Sequence, residues 1–407
     1  DGSHTIVASQ TDSFGNTGSA SLSFTLDTAA PSGGTPDLTA GSDTGTSNTD
    51  NLTSATAPTF TVALTPTAAV GDTVQLLLGG SPLAHPVTHV ITATDVTAGS
   101  VSLTVTAGDL GADGTRQIAA QFSDAAGNSS TTSALSFTLD TTAPTVAITS
   151  AGGPVNQASQ AITGTVDVAD AGASVTILDG TTPIGTAVVQ GNGSWSTTVS
   201  LNNGSNSLTA RASDAAGNTA TSSAVVYTLS TTGPTVTETL TVDTGSSATD
   251  HITANPALSG TGLANTVVHL TIDGVLSTTT ATTDAQGAWS FLPSGLADGS
   301  HTIVASQTDS FGNTGSASLS FTLDTTAPTV AITSTGGPVN QASQTITGTV
   351  DVADAGASVT ILDGTTPIGT AIVQGNGSWS TTVSLNNGSN SLTARASDAA
   401  GNTATTI

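Results

Sequence analysis

Apolar and polar residues alternate with a period of two through much of the chain. Leu208, Ala210 and Ala212 alternate with Thr209, Arg211 and Ser213; Val225, Tyr227 and Leu229 alternate with Val226 and Thr228. A strand with one face in a core and the other in water reads this way. Within 140–229 the pattern predicts strands at 145–150, 161–168, 174–178, 183–190, 195–201, 207–213 and 221–229. Asp179-Gly180, Asn192-Gly193, Asn203-Gly204 and Gly217-Asn218 separate several of them, because Gly, Asn and Asp accept the backbone of tight turns. Short strands with a turn every ~8–12 residues predict an all-β fold of antiparallel sandwiches.

The pattern is repeated. Residues 140–220 recur at 324–404 with three differences, Ala151/Thr335, Ala161/Thr345 and Val188/Ile372, and residues 1–26 recur unchanged at 298–323. A junction phrase recurs as well: Leu26-Asp27-Thr-Ala-Ala-Pro31, Leu139-Asp140-Thr-Thr-Ala-Pro144 and Leu323-Asp324-Thr-Thr-Ala-Pro328, with Ser in place of Asp at Leu229-Ser230-Thr-Thr-Gly-Pro234. Proline after a short polar stretch stiffens a junction and stops a strand ladder. These boundaries predict the C-terminal part of one domain (1–26), three domains (27–139, 140–229 and 230–323) and a fourth lacking its last strand (324–407), a linear string that reads as a slice across repeats.

Composition narrows the function. Of 407 residues, 45 are glycine, none is cysteine or methionine, and the net charge is −25. Lysine is absent, and Arg116, Arg211 and Arg395 are the only basic side chains besides histidine. Nucleic acid and anionic membranes are therefore poor partners, and disulfides and thiolate metal sites are excluded. No apolar run approaches the ~20 residues of a membrane span, so membrane insertion is not expected in this segment. No Gly-x-Ser-x-Gly, His-Glu-x-x-His or phosphate-binding loop is present, so no enzyme is expected. His85 and His89 are spaced for a metal pair, but a solvated loop beside Pro86 is the simpler reading; His4 and His301, one repeat position, read as surface residues. Trp195, Trp289 and Trp379, each in Gly-x-Trp-Ser, read as core plugs rather than a sugar platform.

Ser213-Asp214-Ala-Ala-Gly217-Asn218, the strand ending Tyr227-Thr-Leu and the Asp-Thr-Thr-Ala-Pro junction together resemble tandem bacterial Ig-like domains. So do Asp243-Thr-Gly-Ser-Ser-Ala-Thr-Asp250-His-Ile-Thr253, Asp284-Ala-Gln-Gly-Ala-Trp289-Ser and Leu296-Ala-Asp298-Gly. The resemblance covers essentially the whole chain. It implies a stalk segment of a giant, type 1-secreted adhesin at the bacterial cell surface, of the kind found in biofilms, with calcium at or near the domain junctions.

In such a sandwich the first residue of the domain, the turn after the second strand and the turn after the sixth lie at one end. That places Asp140, Asp167, Asp170, Asp214 and Asn218 together, and likewise Asp324, Asp351, Asp354, Asp398 and Asn402. Asp27, Asp72, Asp124 and Asn128 form a weaker set, and the domain beginning at Ser230 offers only Asp309 and Asn313. Crowded carboxylates repel unless a cation neutralises them, and Ca²⁺ takes six to eight such oxygens. The competing reading makes each Asp a turn former that also keeps the surface soluble. Asp43/Asp50 and Asp243/Asp250 form a second, looser motif, open to calcium or to a structural turn.

The expected function is an extracellular spacer, cell-adhesion related, whose partners are its neighbouring repeats and which presents a distal adhesive domain. Three other classes stay open at this point: a subunit of a self-assembling surface fibre, joined to other copies by strand donation; a glycan-binding module; and an accessory region of a large secreted enzyme.

Overall fold

The computed structural model describes residues 1–406. It divides into two compact units, one of residues 1–153 with 157–229, the other of residues 154–156 with 230 onward.

The first unit begins with a two-stranded hairpin, Gly2–Thr11 against Thr17–Leu26, and continues into two sandwiches. In the first sandwich one sheet runs Asp37–Leu38, Thr59–Ala63, Ser100–Thr104. The facing sheet runs Leu52–Thr53, Leu135–Leu139, Gly114–Ser123, Thr73–Leu78, Ser81–Pro82. Phe60, Val74, Leu76, Ile118, Phe122 and Phe137 fill the space between. A single helical turn, Ala93–Ala98, is started by a capping box in which Thr92 and Asp95 satisfy each other's backbone N–H. It is the one α-helix among the described residues, as the Gly-, Ser- and Thr-rich composition predicts.

The second sandwich pairs Val146–Ile148 with Ser159–Val166 and that with Ser194–Ser200. Its other sheet orders Val225–Leu229, Gly204–Ser213, Ser174–Asp179 and Thr182–Val188. The predicted strand at 221–229 is in fact two, Thr219–Thr221 and Val225–Leu229, both on Gly204–Ser213. The break has a local cause: the Ser222 hydroxyl accepts from the Ala210 N–H (3.0 Å) and donates to the Ser223 carbonyl (2.9 Å), taking up a ladder position with a side chain.

The second unit repeats the plan. Its first sandwich packs Thr239–Leu240, Leu258–Thr261 and Ala288–Phe291 against the sheet Ile252–Thr253, Thr314–Leu323, Gly299–Thr308, Val267–Ile272, Val275–Leu276. The next pairs Val330–Ile332, Ser343–Val350 and Ser378–Ser384 across from Thr366–Ile372, Ser358–Asp363, Leu392–Ser397 and Thr403–Thr405. No counterpart of Val225–Leu229 is present there among the described residues. A groove of about 720 Å³, lined by Val330, Ile332, Val339, Ile346, Leu385 and Leu392 among others, marks its place.

Trp195, Trp289 and Trp379 are buried, at 2%, 4% and 1% exposure, so no ring face is offered to a sugar. Each lies on a glycine of the second strand: a Cβ on Gly164 would stand 2.1 Å from the Trp195 ring and 2.2 Å from the Ala147 carbonyl. Phe137, Tyr227 and Phe321 occupy the predicted inward position of the last strand. Arg116, Arg211 and Arg395 all lie inside paired strands, Gly114–Ser123, Gly204–Ser213 and Leu392–Ser397.

Candidate metal centre

The turn after the sixth strand is built the same way in each sandwich. The Asp214 carboxylate accepts from the Asn218 N–H (2.8 Å) and from the Asn218 side-chain amide (2.9 Å), with Gly217 at positive φ closing the turn. The same amide nitrogen donates to the Asp140 carbonyl (2.9 Å), which fastens the first residue of the domain to this turn. Asn402 does this to Asp324, Asn128 to Asp27 and Asn313 to Ser230. The Asp-to-Asn turn therefore holds the junction peptide even where Ser230 replaces the aspartate.

The carboxylates divide into two kinds. Asp170, ending the 3₁₀ turn Val168–Asp170, faces Asp214, Asp167 and Asp140. Its pKa is raised, first by burial and then by those three charges, with no hydrogen bond opposing. Asp354 is raised by burial and by Asp398, Asp324 and Asp351. Asp324, Asp354 and Asp398 bring one oxygen each within 4.8 Å of one another. Asp167 serves the neighbouring strand instead, accepting from the Thr145 N–H (2.8 Å) and hydroxyl (2.6 Å), and Asp351 accepts from the Thr329 N–H (2.9 Å). Those bonds hold both carboxyls below their ordinary pKa.

The weaker set is not assembled in this way. Asp124 is taken up by Asn128 (2.8 Å) and the turn amides, Asp27 caps the Ala29 N–H (3.1 Å), and Asp72 caps the Ala69 N–H (2.8 Å). Their turn has no counterpart of Asp170: it reads Pro66-Thr-Ala-Ala-Val-Gly-Asp72 rather than Asp-Val-Ala-Asp. His85 and His89 do not converge, pairing with Asp109 and Asp95 respectively (2.8 Å each). His301 departs from its surface reading. Its ring is mostly covered, held between the Ala297 carbonyl and Asp273 (2.8 Å each), and both contacts raise its pKa, the carbonyl more.

Two junction features were not anticipated. Asp113 accepts from the hydroxyls of Thr141 (2.8 Å) and Thr142 (2.6 Å), and Asp298 from those of Thr325 (2.8 Å) and Thr326 (2.7 Å). The sequence signal is an Asp-Gly opening the sixth strand, 28 residues before the first junction threonine at Thr141 and 27 before that at Thr325; 140–229 has Asn203-Gly204 there, before the divergent Ser230. Second, the Thr44-Gly45 loop docks on the Asp214–Asn218 turn of the following sandwich. The Thr44 hydroxyl donates to the Ala216 carbonyl (2.6 Å), and the Thr46 N–H to the Ala215 carbonyl (3.2 Å). Thr244 repeats the contact on the Ala400 carbonyl (2.5 Å). Gly45 and Gly245 pass so close that a Cβ on either would lie 1.9 Å from a carbonyl oxygen.

A tandem array of β-sandwiches, with a carboxylate cluster where the chain enters Asp324's sandwich and its copy at Asp140, is the class these features define. The chain belongs to the bacterial Ig-like domain family, whose model matches residues 31–141, 148–231, 228–325 and 331–407. Among solved structures it is similar to a tetra-tandem repeat from the extending region of a large adhesion protein, at 26% identity, covering 92% of this chain and 97% of that one, TM-score 0.30. It is also similar to fibronectin(III)-like modules of CbhA from Clostridium thermocellum, at 17% identity over 44% of this chain and 94% of that one, TM-score 0.27. A four-domain ICAM-5 ectodomain fragment matches at 15% identity over 86% and 93%, TM-score 0.32. Comparison with curated proteins gives no match. No helix among the described residues is long and apolar enough to cross a membrane.

Proposed function

We propose that this chain is an extending segment of a secreted bacterial surface adhesin, a spacer whose joints are stiffened by Ca²⁺ and which carries a separate adhesive domain away from the cell. One observation carries the metal reading: three carboxylates from three separate segments converge at Asp324, Asp354 and Asp398. Ca²⁺ is the cation this chemistry favours, since every donor is a hard oxygen and neither thiolate nor imidazole takes part. Asp140, Asp170 and Asp214 are the corresponding ligands in the preceding copy. Asn218 and Asn402 position the junction carbonyl through their amide nitrogens. The sandwiches that begin at Asp27 and Ser230 lack the central aspartate, and there Asn128 and Asn313 hold the first residue's carbonyl by a hydrogen bond.

A cation there relieves the repulsion and ties the start of each sandwich to two of its own turns, so the joint stiffens as the fold tightens. Thermal unfolding of the whole chain with millimolar Ca²⁺, with Mg²⁺ and with excess chelator tests this. Saturation at a hundred times Kd adds about 2.7 kcal/mol, so a rise in midpoint selective for Ca²⁺ is expected, and Asp170→Asn with Asp354→Asn should remove it. Equal midpoints in calcium and chelator would reduce the aspartates to turn formers and leave a spacer whose joints hold no ion.

A further inference from the structure

One position of the sixth strand carries the same device in every sandwich. Arg116, Asn206 and His301 stand in register with the inward aromatic of the last strand, Phe137, Tyr227 and Phe321, and Asn390 is the copy of Asn206. Each turns a side-chain nitrogen back to the carbonyl four residues earlier: Arg116 to Ala112, Asn206 to Asn202 (2.8 Å), His301 to Ala297 (2.8 Å) and Asn390 to Asn386 (2.8 Å). The bond pins the loop that enters the strand. In two sandwiches the next residue of that loop is the clasping aspartate, Asp113 after Ala112 and Asp298 after Ala297, which holds the threonines of the following junction. Thr325 is gripped twice, its N–H (2.9 Å) and its hydroxyl (2.8 Å) both donating to Asp298.

The pins differ in one respect. Arginine is always charged and asparagine never is, so those three donate at any ordinary pH. His301 has an acceptor at both ring nitrogens, the Ala297 carbonyl at Nε2 and the Asp273 carboxylate at Nδ1 (2.8 Å each). A neutral imidazole has one N–H and satisfies one of them; only the imidazolium satisfies both. When the proton leaves, the carboxylate keeps the remaining N–H, because a charged acceptor is the stronger, and the Ala297 carbonyl is released. Among the described residues Asp273, on the turn between Val267–Ile272 and Val275–Leu276, is the one charged group acting on the ring. The last strand packs Phe321 against it, ring centroids 5.9 Å apart, and Asp298 is turned to the threonines. We propose that His301 is a pH-sensitive pin: the Asp298 clasp on Thr325 and Thr326 is tight while the imidazole is protonated and slackens when it is neutral. Carbonyl and carboxylate both raise the folded pKa above its ordinary 6.5, the carbonyl more. The clasp is therefore tight below that value and loosens as pH rises through the folded one, whereas the Asp113 clasp, pinned by Arg116, does not respond.

The test uses the whole chain in excess chelator, so that its result does not depend on whether the joints bind Ca²⁺. Glu238→Gln is the background, because Glu238 of the same sandwich also titrates near neutrality. Exchange of the Thr325 amide, corrected for its intrinsic rate, is followed from about pH 5.5 to about pH 8.5. The Thr141 amide, bonded to Asp113, is the internal control. Protection of Thr325 should fall severalfold across this range while that of Thr141 stays level. His301→Asn supplies the amide found at Asn206; it should keep the protection and lose the pH dependence, and equal melts at the acid end verify that it is folded. The imidazole itself, followed by NMR in histidine-labelled protein, should titrate above 6.5. Thr325 protection that stays level, falls equally at Thr141, or falls alike in His301→Asn overturns the inference. So does a His301 resonance that titrates at or below 6.5.

Discussion

At the scale of single residues, three environments make distinct demands. Gly348 lies under Trp379 as Gly164 lies under Trp195, and a Cβ there would stand 2.1 Å from both the ring and the Ala331 carbonyl. Backbone cannot yield as a side-chain tip can, so Gly348→Ala should cost ~2–3 kcal/mol of stability in the last sandwich, visible as a lower urea midpoint by tryptophan fluorescence. Glu238, the only glutamate, is mostly covered: Oε2 accepts from the Ala305 N–H (3.3 Å) and Oε1 has no partner. Burial, only partly offset by that bond, raises its pKa to about 7. Because the folded value lies above the unfolded one, the protonated form is the better-folded one. Stability from this group is complete below pH ~4.5 and is lost as pH rises through about 7. Melts of the sandwich containing Glu238 should therefore weaken between pH 5 and 8 by on the order of 2 kcal/mol, and Glu238→Gln should flatten that slope. Asp354 has the same sign for a different mixture of causes, burial followed by three carboxylates. In chelator, Asp354→Asn should stabilise the chain by ~1 kcal/mol, while abolishing the response to calcium at that joint.

At the scale of elements, strand and turn positions were largely legible because the period-two pattern and the Gly, Asn and Asp punctuation are local signals. The hairpin makes the point: Gly2↔Leu26 and Gly299↔Leu323 are in the same register, although Ile6 is 60% exposed and Ile303 fully buried. Pairing is written into the hairpin, whereas burial comes from the rest of a sandwich. What could not be read was side-chain bonding. Ser222 splits a strand, Asp167 turns to Thr145 rather than into the acidic cluster, and His301 is drawn inward between two acceptors. Asp167 and His301 depend on partners 22 and 28 residues away, and Ser222 on the strand beside it at Ala210. The Thr44-Gly45 loop is the largest such omission, since its target lies some 170 residues on. Gly45 sits at φ +94 and 1.9 Å from a carbonyl by the position of an added Cβ, so Gly45→Ala should cost ~1–3 kcal/mol at that joint. The expected readout is two separated unfolding transitions where wild type, coupled across the joint, gives overlapping ones.

At the scale of the whole molecule, the net charge of −25 acts on every domain at once. Self-repulsion destabilises the compact state, so sodium chloride alone should raise the midpoint in chelator by screening; a specific site is distinguished by acting at millimolar Ca²⁺. The tandem architecture was legible because near-exact copies declare the repeat length, and the aspartate clusters because a sandwich brings fixed loops to one end. The clasps of Asp113 and Asp298 were not read, since an Asp-Gly at a strand start looks like any other turn until the fold sets the junction threonines beside it. A last consequence concerns proteolysis. Lysine is absent, and the three arginines lie in hydrogen-bonded strands of three different sandwiches, while residues 230–323 contain none. A protease of trypsin specificity therefore finds no loop to cut in the folded chain. Each scissile bond opens only when its own sandwich does, which gives this protein a built-in, one-site reporter of unfolding for all but one of its sandwiches.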